Sequence, residues 1–217
     1  MRLMLALLMI ALPVPAAAQS WSWDASLAVV SEYRDRGYDL SAGRPVAQGD
    51  MSLSHASGVY GGVWASDIAD YSGAEVEVTG FIGWAGEMGG WDVDVGVWQN
   101  VYPDGVDVDY VEIPLQIGRA FGSATVSVGA VWAPAQTGTG DDENLWMWTR
   151  LDWAPEAWPL SVHAQLGHED GGFAPDGKTD WLIGAEVPII HRFAVGLDWS
   201  DSDVEDGALV ARLRWRR

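Results

Sequence analysis

Ser161 and His163 stand two residues apart, so on an extended chain they share one face, and they are the best pair in this sequence for a nucleophile with its base. A hydrolase built on them would also need an acid or amide brought to the same wall. The sequence has no G-x-S-x-G elbow and no phosphate-binding glycine loop; Gly86, Gly89 and Gly90 read as turn glycines. The four histidines, His55, His163, His168 and His191, share no metal-ligand spacing, and the five-residue step from His163 to His168 puts that pair on opposite faces of one strand. The acidic runs Asp141-Asp142-Glu143 and 201–206 offer the oxygen ligands calcium prefers and could bridge it to lipopolysaccharide. They lack the D-x-D-x-D-G register of an EF-hand and read as solvated loops. No metal, no cofactor and no enzymatic activity is expected, with a hydrolase using Ser161 and His163 as the alternative.

The elements that position these residues begin after an export signal. Met1 and Arg2 precede an apolar run over residues 3–12, a Pro13/Pro15 break and three alanines, the layout of a secretory signal peptide cleaved after Ala18. Residues 19–217 then form a single all-β domain. Removing Arg2 takes the formal charge from -19 to -20, which disfavours binding to nucleic acid. There is no cysteine, so an exported chain of this size needs a large core or a membrane for stability. No apolar stretch after the signal is long enough for a transmembrane helix, but barrel strands need only about ten residues of alternating character.

That alternation is clearest at Ser54 to Ser66, where Val59, Gly61, Val63 and Ala65 interleave with Tyr60, Gly62, Trp64 and Ser66. It predicts twelve strands, near 22–34, 45–54, 58–66, 74–86, 91–100, 108–119, 123–132, 144–154, 159–169, 179–188, 192–200 and 207–216. Ten strands remain possible if the pair 45–54 and 58–66 folds differently. Long connections over 37–43, 67–73, 102–107, 135–143, 170–178 and 201–206 alternate with short ones over 56–57, 87–90, 120–122, 155–158 and 189–191. The expected fold is therefore a closed antiparallel transmembrane β-barrel, with long extracellular loops, short periplasmic turns and the last strand paired with the first.

Tryptophans fit that frame. Trp23, Trp84, Trp91, Trp153 and Trp215 fall near the short-turn ends of their strands, and Trp132, Trp181 and Trp199 at the long-loop ends, all in phase with apolar neighbours. Two aromatic girdles at the lipid boundaries follow. The opposite face carries Asp24, Glu32 and Arg34; Asp50; Glu75 and Glu77; Asp92 and Asp94; Glu112 and Gln116; Arg150 and Asp152; His163 and Gln165; Glu186; Asp198; Arg212 and Arg214. Such a density of charge suits a wet or salt-bridged lumen, not a dry core. A periplasmic ligand-binding barrel would instead turn this face to solvent. Eleven acids face four bases, a net of -7 that predicts a cation-preferring lumen.

The first half resembles the TorF family of porins from Gram-negative bacteria. The resemblance rests on Ser31-Glu32-Tyr33 with Arg36-Gly37, Pro45 with Gln48-Gly49, and Ser54-His55 with Ser57-Gly58. It continues through Tyr60, Gly62-Val63-Trp64 and Ser66 in the motif G-x-Y-x-G-V-W-x-S, then Glu75, Gly83, Gly96, Tyr102-Pro103 and Tyr110 with Glu112. It covers residues 31–122 and departs at Gln99-Asn100-Val101, where that family tends to be aromatic. It implies an outer-membrane barrel with a porin function, and names no solute. The partners expected are outer-membrane lipid and lipopolysaccharide, the barrel-assembly machinery during insertion, and small solutes or ions.

Overall fold

The computed structural model describes residues 20–217, so the predicted signal peptide lies outside the described residues. Twelve strands alternate with turns and loops: β1 (Trp21–Val30), β2 (Val46–His55), β3 (Val59–Tyr71), β4 (Ala74–Met88), β5 (Trp91–Val101), β6 (Tyr110–Phe121), β7 (Ala124–Ala133), β8 (Asn144–Trp153), β9 (Ser161–Gly171), β10 (Ala174–Ile190), β11 (Phe193–Ser202) and β12 (Ala208–Arg216). Each pairs antiparallel with its chain neighbours, and β12 closes on β1 through Leu27↔Trp215 and Val29↔Leu213. The result is the closed twelve-stranded barrel that the alternation predicts.

The period of two sorts side chains to two surfaces. Leu27, Ile82, Leu166 and Leu209 point outward and are exposed, as are Trp23, Trp91, Trp132, Trp153, Trp181 and Trp199. Trp84 and Trp215 share the outward phase and are partly covered. Lys178, Glu169 and Asn144, by contrast, are among the most completely buried side chains. A soluble protein places its residues the other way round. Buried apolar residues gather in two small clusters, Ile68, Ala74, Tyr102 and Val108 in one and Val30, Val46 and Val210 in the other, with Tyr33 packed against both.

Several expected boundaries shift. The segments 67–73 and 170–178, read as loops, are mostly strand, because β3–β4 and β9–β10 run on to tight turns at Ser72-Gly73 and Gly172-Phe173. Polar residues suit these stretches because they lie beyond the apolar belt, where strand pairing continues without it. Ser72 and Gly73 have φ of 53° and 99°, as a two-residue hairpin turn of that hand requires. The turn expected over 155–158 spans 154–160. Strand β1 stops at Val30 rather than residue 34, and residues 31–45 form a loop that bends into the barrel. Inside it Arg34–Asp35 pairs with Tyr38–Asp39 across a turn whose Gly37 has φ 83°. A Cβ there would lie 2.6 Å from the Cβ of Ser202, so no larger residue fits between the loop and β11.

Trp215 meets Leu27 on one side of the closing seam and Phe193 on the other. Trp215→Ala removes both cross-strand contacts, each worth up to about 1 kcal/mol. The folded fraction, read as the heat-modifiable band on a gel after refolding, should fall; an unchanged fraction would show that the seam does not depend on this ring.

Candidate functional site

The inward phase of β3–β6 and β8–β12 brings most of the predicted lumen residues to one interior surface. On the β8–β12 side, Arg212 Nη2 lies 3.1 Å from Asp198 and Arg214 is paired with Glu186. His163 Nε2 is 3.0 Å from the other oxygen of Asp198. Arg150 grips Asp152 on its own strand through two hydrogen bonds of 2.8 Å. Gln116, Gln165 and Arg150 border one cavity of about 240 Å³. On the other side Asp94 accepts the Tyr60 hydroxyl at 2.5 Å, and Asp50 accepts that of Ser26. Asp92 and Glu75 also share the inward phase but are exposed near strand ends. Glu32 and Arg34, expected on a strand wall, are carried by the inward loop, where they pair with each other and Arg34 also reaches Glu205.

Ser161 and His163 do not form a dyad. The Ser161 hydroxyl points at the Glu186 carbonyl, 3.5 Å away, while His163 is engaged by Asp198.

The centre of the lumen is occupied by Arg36, from the loop that follows β1. Its guanidinium lies 2.7 Å from Glu112 on β6 and 3.0 Å from Glu169 on β9, and stacks over Trp146 on β8 at 4.8 Å. The loop therefore crosses the barrel from β1 to the far wall. Lys178 on β10 secures the crossing: its ammonium is 2.7 Å from Glu169, donates to the Arg36 carbonyl at 2.5 Å and sits 3.7 Å over the Tyr38 ring. Asn144 donates to the Glu169 oxygen that also takes Arg36, and Asn100 donates to the second oxygen of Glu112, so these buried carboxylates are hydrogen-bonded as well as paired. Burial opposes the charge on Arg36, yet Glu112, Asp35 and Glu169 more than offset it and raise its pKa further.

Arg36, Glu169, Lys178 and Asn144 were not among the expected lumen residues. Glu169 stands in phase with His163 and Gln165 at the last position of the expected strand 159–169. Lys178, in phase with Glu186, lies one residue before the expected strand 179–188, so carrying the alternation fully through and one residue past these ends would have found both. Arg36 gave no such signal, because it lies in a loop.

Above and below this crossing the lumen opens into adjoining cavities. One of about 430 Å³ faces the loops and is bordered by Asp35, Tyr38, Tyr71 and Glu169; a second of about 390 Å³ shares Asp35, Arg36, Glu77 and Tyr110 with it. The third, described above, shares Tyr60, Asp94 and Trp98 with the second.

A closed barrel with an apolar, tryptophan-ringed exterior and a charged interior has the architecture of an outer-membrane β-barrel. The chain belongs to the Gcw_chp family, described as a bacterial protein of unknown function, whose model matches residues 15–216. No curated protein matches the sequence. Among solved structures, the KdgM porin is similar with a TM-score of 0.65 at 6% identity, over 88% of this chain and 98% of that one. The NanC porin gives 0.60 at 8% identity, over 89% and 98%. An outer membrane channel from Pseudomonas putida F1 gives 0.53 at 12% identity, over 95% and 96%. At these identities the likeness is one of fold.

Arg36→Ala leaves Glu112 and Glu169 short of their shared cation, a change that costs about 3 kcal/mol for a buried pair. The loop should then leave the lumen, and limited proteolysis should cut within residues 31–45 faster than in the unaltered protein. Equal cleavage rates would show that the crossing is held by other contacts.

Proposed function

We propose that this protein is a small passive pore of the bacterial outer membrane that favours cations, and is not an enzyme. The observation that carries the reading is the acidic excess of the lumen, set along three adjoining cavities. The expected wall residues hold eleven acids against four bases, and the inward loop and strand ends contribute Asp35, Glu169 and Asp180 beside Arg36 and Lys178, which leaves the excess in place. Carboxylates along a narrow route lower the energy of a cation and raise that of an anion. The loop ends add Asp67, Asp70, Asp104, Asp107 and Asp141 to Glu143, whose field concentrates cations before entry.

Three further points support the reading. The export signal predicted at residues 1–18 leads to the envelope. The resemblance of residues 31–122 to the TorF family of porins points the same way, as do the porin names of the KdgM and NanC structures. Separate partners for Ser161 and His163 favour a structural over a hydrolytic use of that pair. In this setting the exterior meets lipid and lipopolysaccharide, the barrel-assembly machinery inserts the chain, and the solutes are small ions or molecules.

The purified, refolded protein in a planar bilayer under a potassium chloride gradient should show single-channel steps with a reversal potential of cation-selective sign. Raising the salt should weaken that preference, since the Debye length falls from about 10 Å at 0.1 M to about 3 Å at 1 M. A reversal potential of anion-selective sign would overturn the preference, and the absence of conductance would make the barrel structural.

A further inference from the structure

The G-x-Y-x-G-V-W-x-S motif, read on a strand of period two, turns Tyr60, Gly62, Trp64 and Ser66 to the lumen. Tyr60 and Trp64 border the 390 Å³ cavity beside Tyr33, Phe81, Trp98 and Tyr110. Glycines make room for these rings. Gly83, directly across from Tyr60, would place a Cβ 2.5 Å from its ring, and Gly62, directly across from Phe81, would place one 2.6 Å from that ring. Six aromatic side chains thus enclose one space inside a charged barrel, an arrangement that ion conduction alone does not require.

The same cavity is bordered by Asp35, Glu77, Asp94 and Glu112 against a single cation, Arg36, which is committed to Glu112, Glu169 and, at 3.7 Å, Asp35. Asp94 has no basic partner among the described residues; its one side-chain hydrogen bond there is from the Tyr60 hydroxyl. A neutral sugar would stack on the rings but leave Asp94 and Glu77 without a cation, and an anion would be repelled. An organic ammonium ion satisfies both features, because its charge faces the carboxylates while aromatic faces attract the cation and its apolar substituents. We propose that this cavity is a binding site for small organic cations of the alkyl- or aryl-ammonium class, with Trp98 and Asp94 as its principal contacts. The inference rests on the pore reading for its biological use, since the site lies on the proposed route, but not for its existence.

The test is therefore made on refolded protein in detergent micelles, where no conduction is needed. Benzyltrimethylammonium is titrated while tryptophan fluorescence and heat are followed, with benzyl alcohol as neutral analogue, benzoate as anionic analogue and maltose as neutral sugar. Saturable binding of the cation, at least about tenfold tighter than of any of the other three, supports the proposal. Trp98→Ala and Asp94→Asn should each weaken it about tenfold, the scale of one cation–π or ionic contact, while Trp98→Phe retains most of it. Folding of each variant is checked by heat-modifiability, and if Trp98→Ala fails to fold, Trp98→Leu, which keeps apolar volume without an aromatic face, takes its place and should show the same loss. No saturable binding, or equal binding of benzyl alcohol or maltose, would overturn the proposal. A protein that binds the cation but conducts nothing would overturn the pore reading and leave the site standing, whereas a conducting protein that does not bind would do the reverse.

Discussion

Hydrocarbon offers no hydrogen bonds, so a backbone that crosses it as strands must satisfy every amide within the sheet, and the sheet must close. The seam between β1 and β12 meets that demand, since without Leu27↔Trp215 and Val29↔Leu213 both edges would face lipid. Closure then dictates the rest. With twelve strands in a ring there are only two surfaces, and alternation assigns each residue to one. Leu27 and Ile82 contact lipid because Asp24 and Glu77 must not.

The interior faces the opposite problem. Charges that escape lipid are crowded into a lumen too narrow to hydrate all of them fully, so they must find one another. On the β8–β12 side they do so across the wall, Arg212 with Asp198 on the adjacent strand and Arg214 with Glu186 one strand further on. Glu169 also meets Lys178 on the adjoining β10, but no strand supplies a cation that reaches both Glu112 and Glu169, and that one comes from the loop after β1. One guanidinium thereby fixes the path of that loop, and with it the partition of the lumen into cavities. Electrostatic pairing at this crossing determines shape, because a buried carboxylate left without its cation is costly.

The outward pattern was legible almost in full. Alternation with apolar residues and turn glycines carries local information: the side a residue faces depends only on its position in a strand, and a strand's presence shows in ten residues. The eight girdle tryptophans could be assigned outward for that reason, while Trp64, Trp98, Trp146 and Trp148 take the inward phase by the same rule. Strand ends were less legible. At 67–73 and 170–178 hydrophobicity fades where the strands leave the apolar belt, although hydrogen-bonded pairing continues to Tyr71 and Gly171. Loss of apolar character marks the end of lipid, not the end of a strand.

The sequence by itself determined the barrel, its two-sided character and the acidic balance of its inner face, because each of these follows from composition or from a period of two. Only the tertiary structure decided that residues 31–45 fold inward, that Arg36 joins walls contributed by residues 112 and 169, and that Tyr33, Tyr60, Trp64 and Trp98 enclose one cavity with Asp94. These contacts link residues far apart in the chain, and a loop of irregular backbone has no period from which its direction can be read. Its course is set by the charges it meets on the opposite wall, which are placed there only once the barrel has closed.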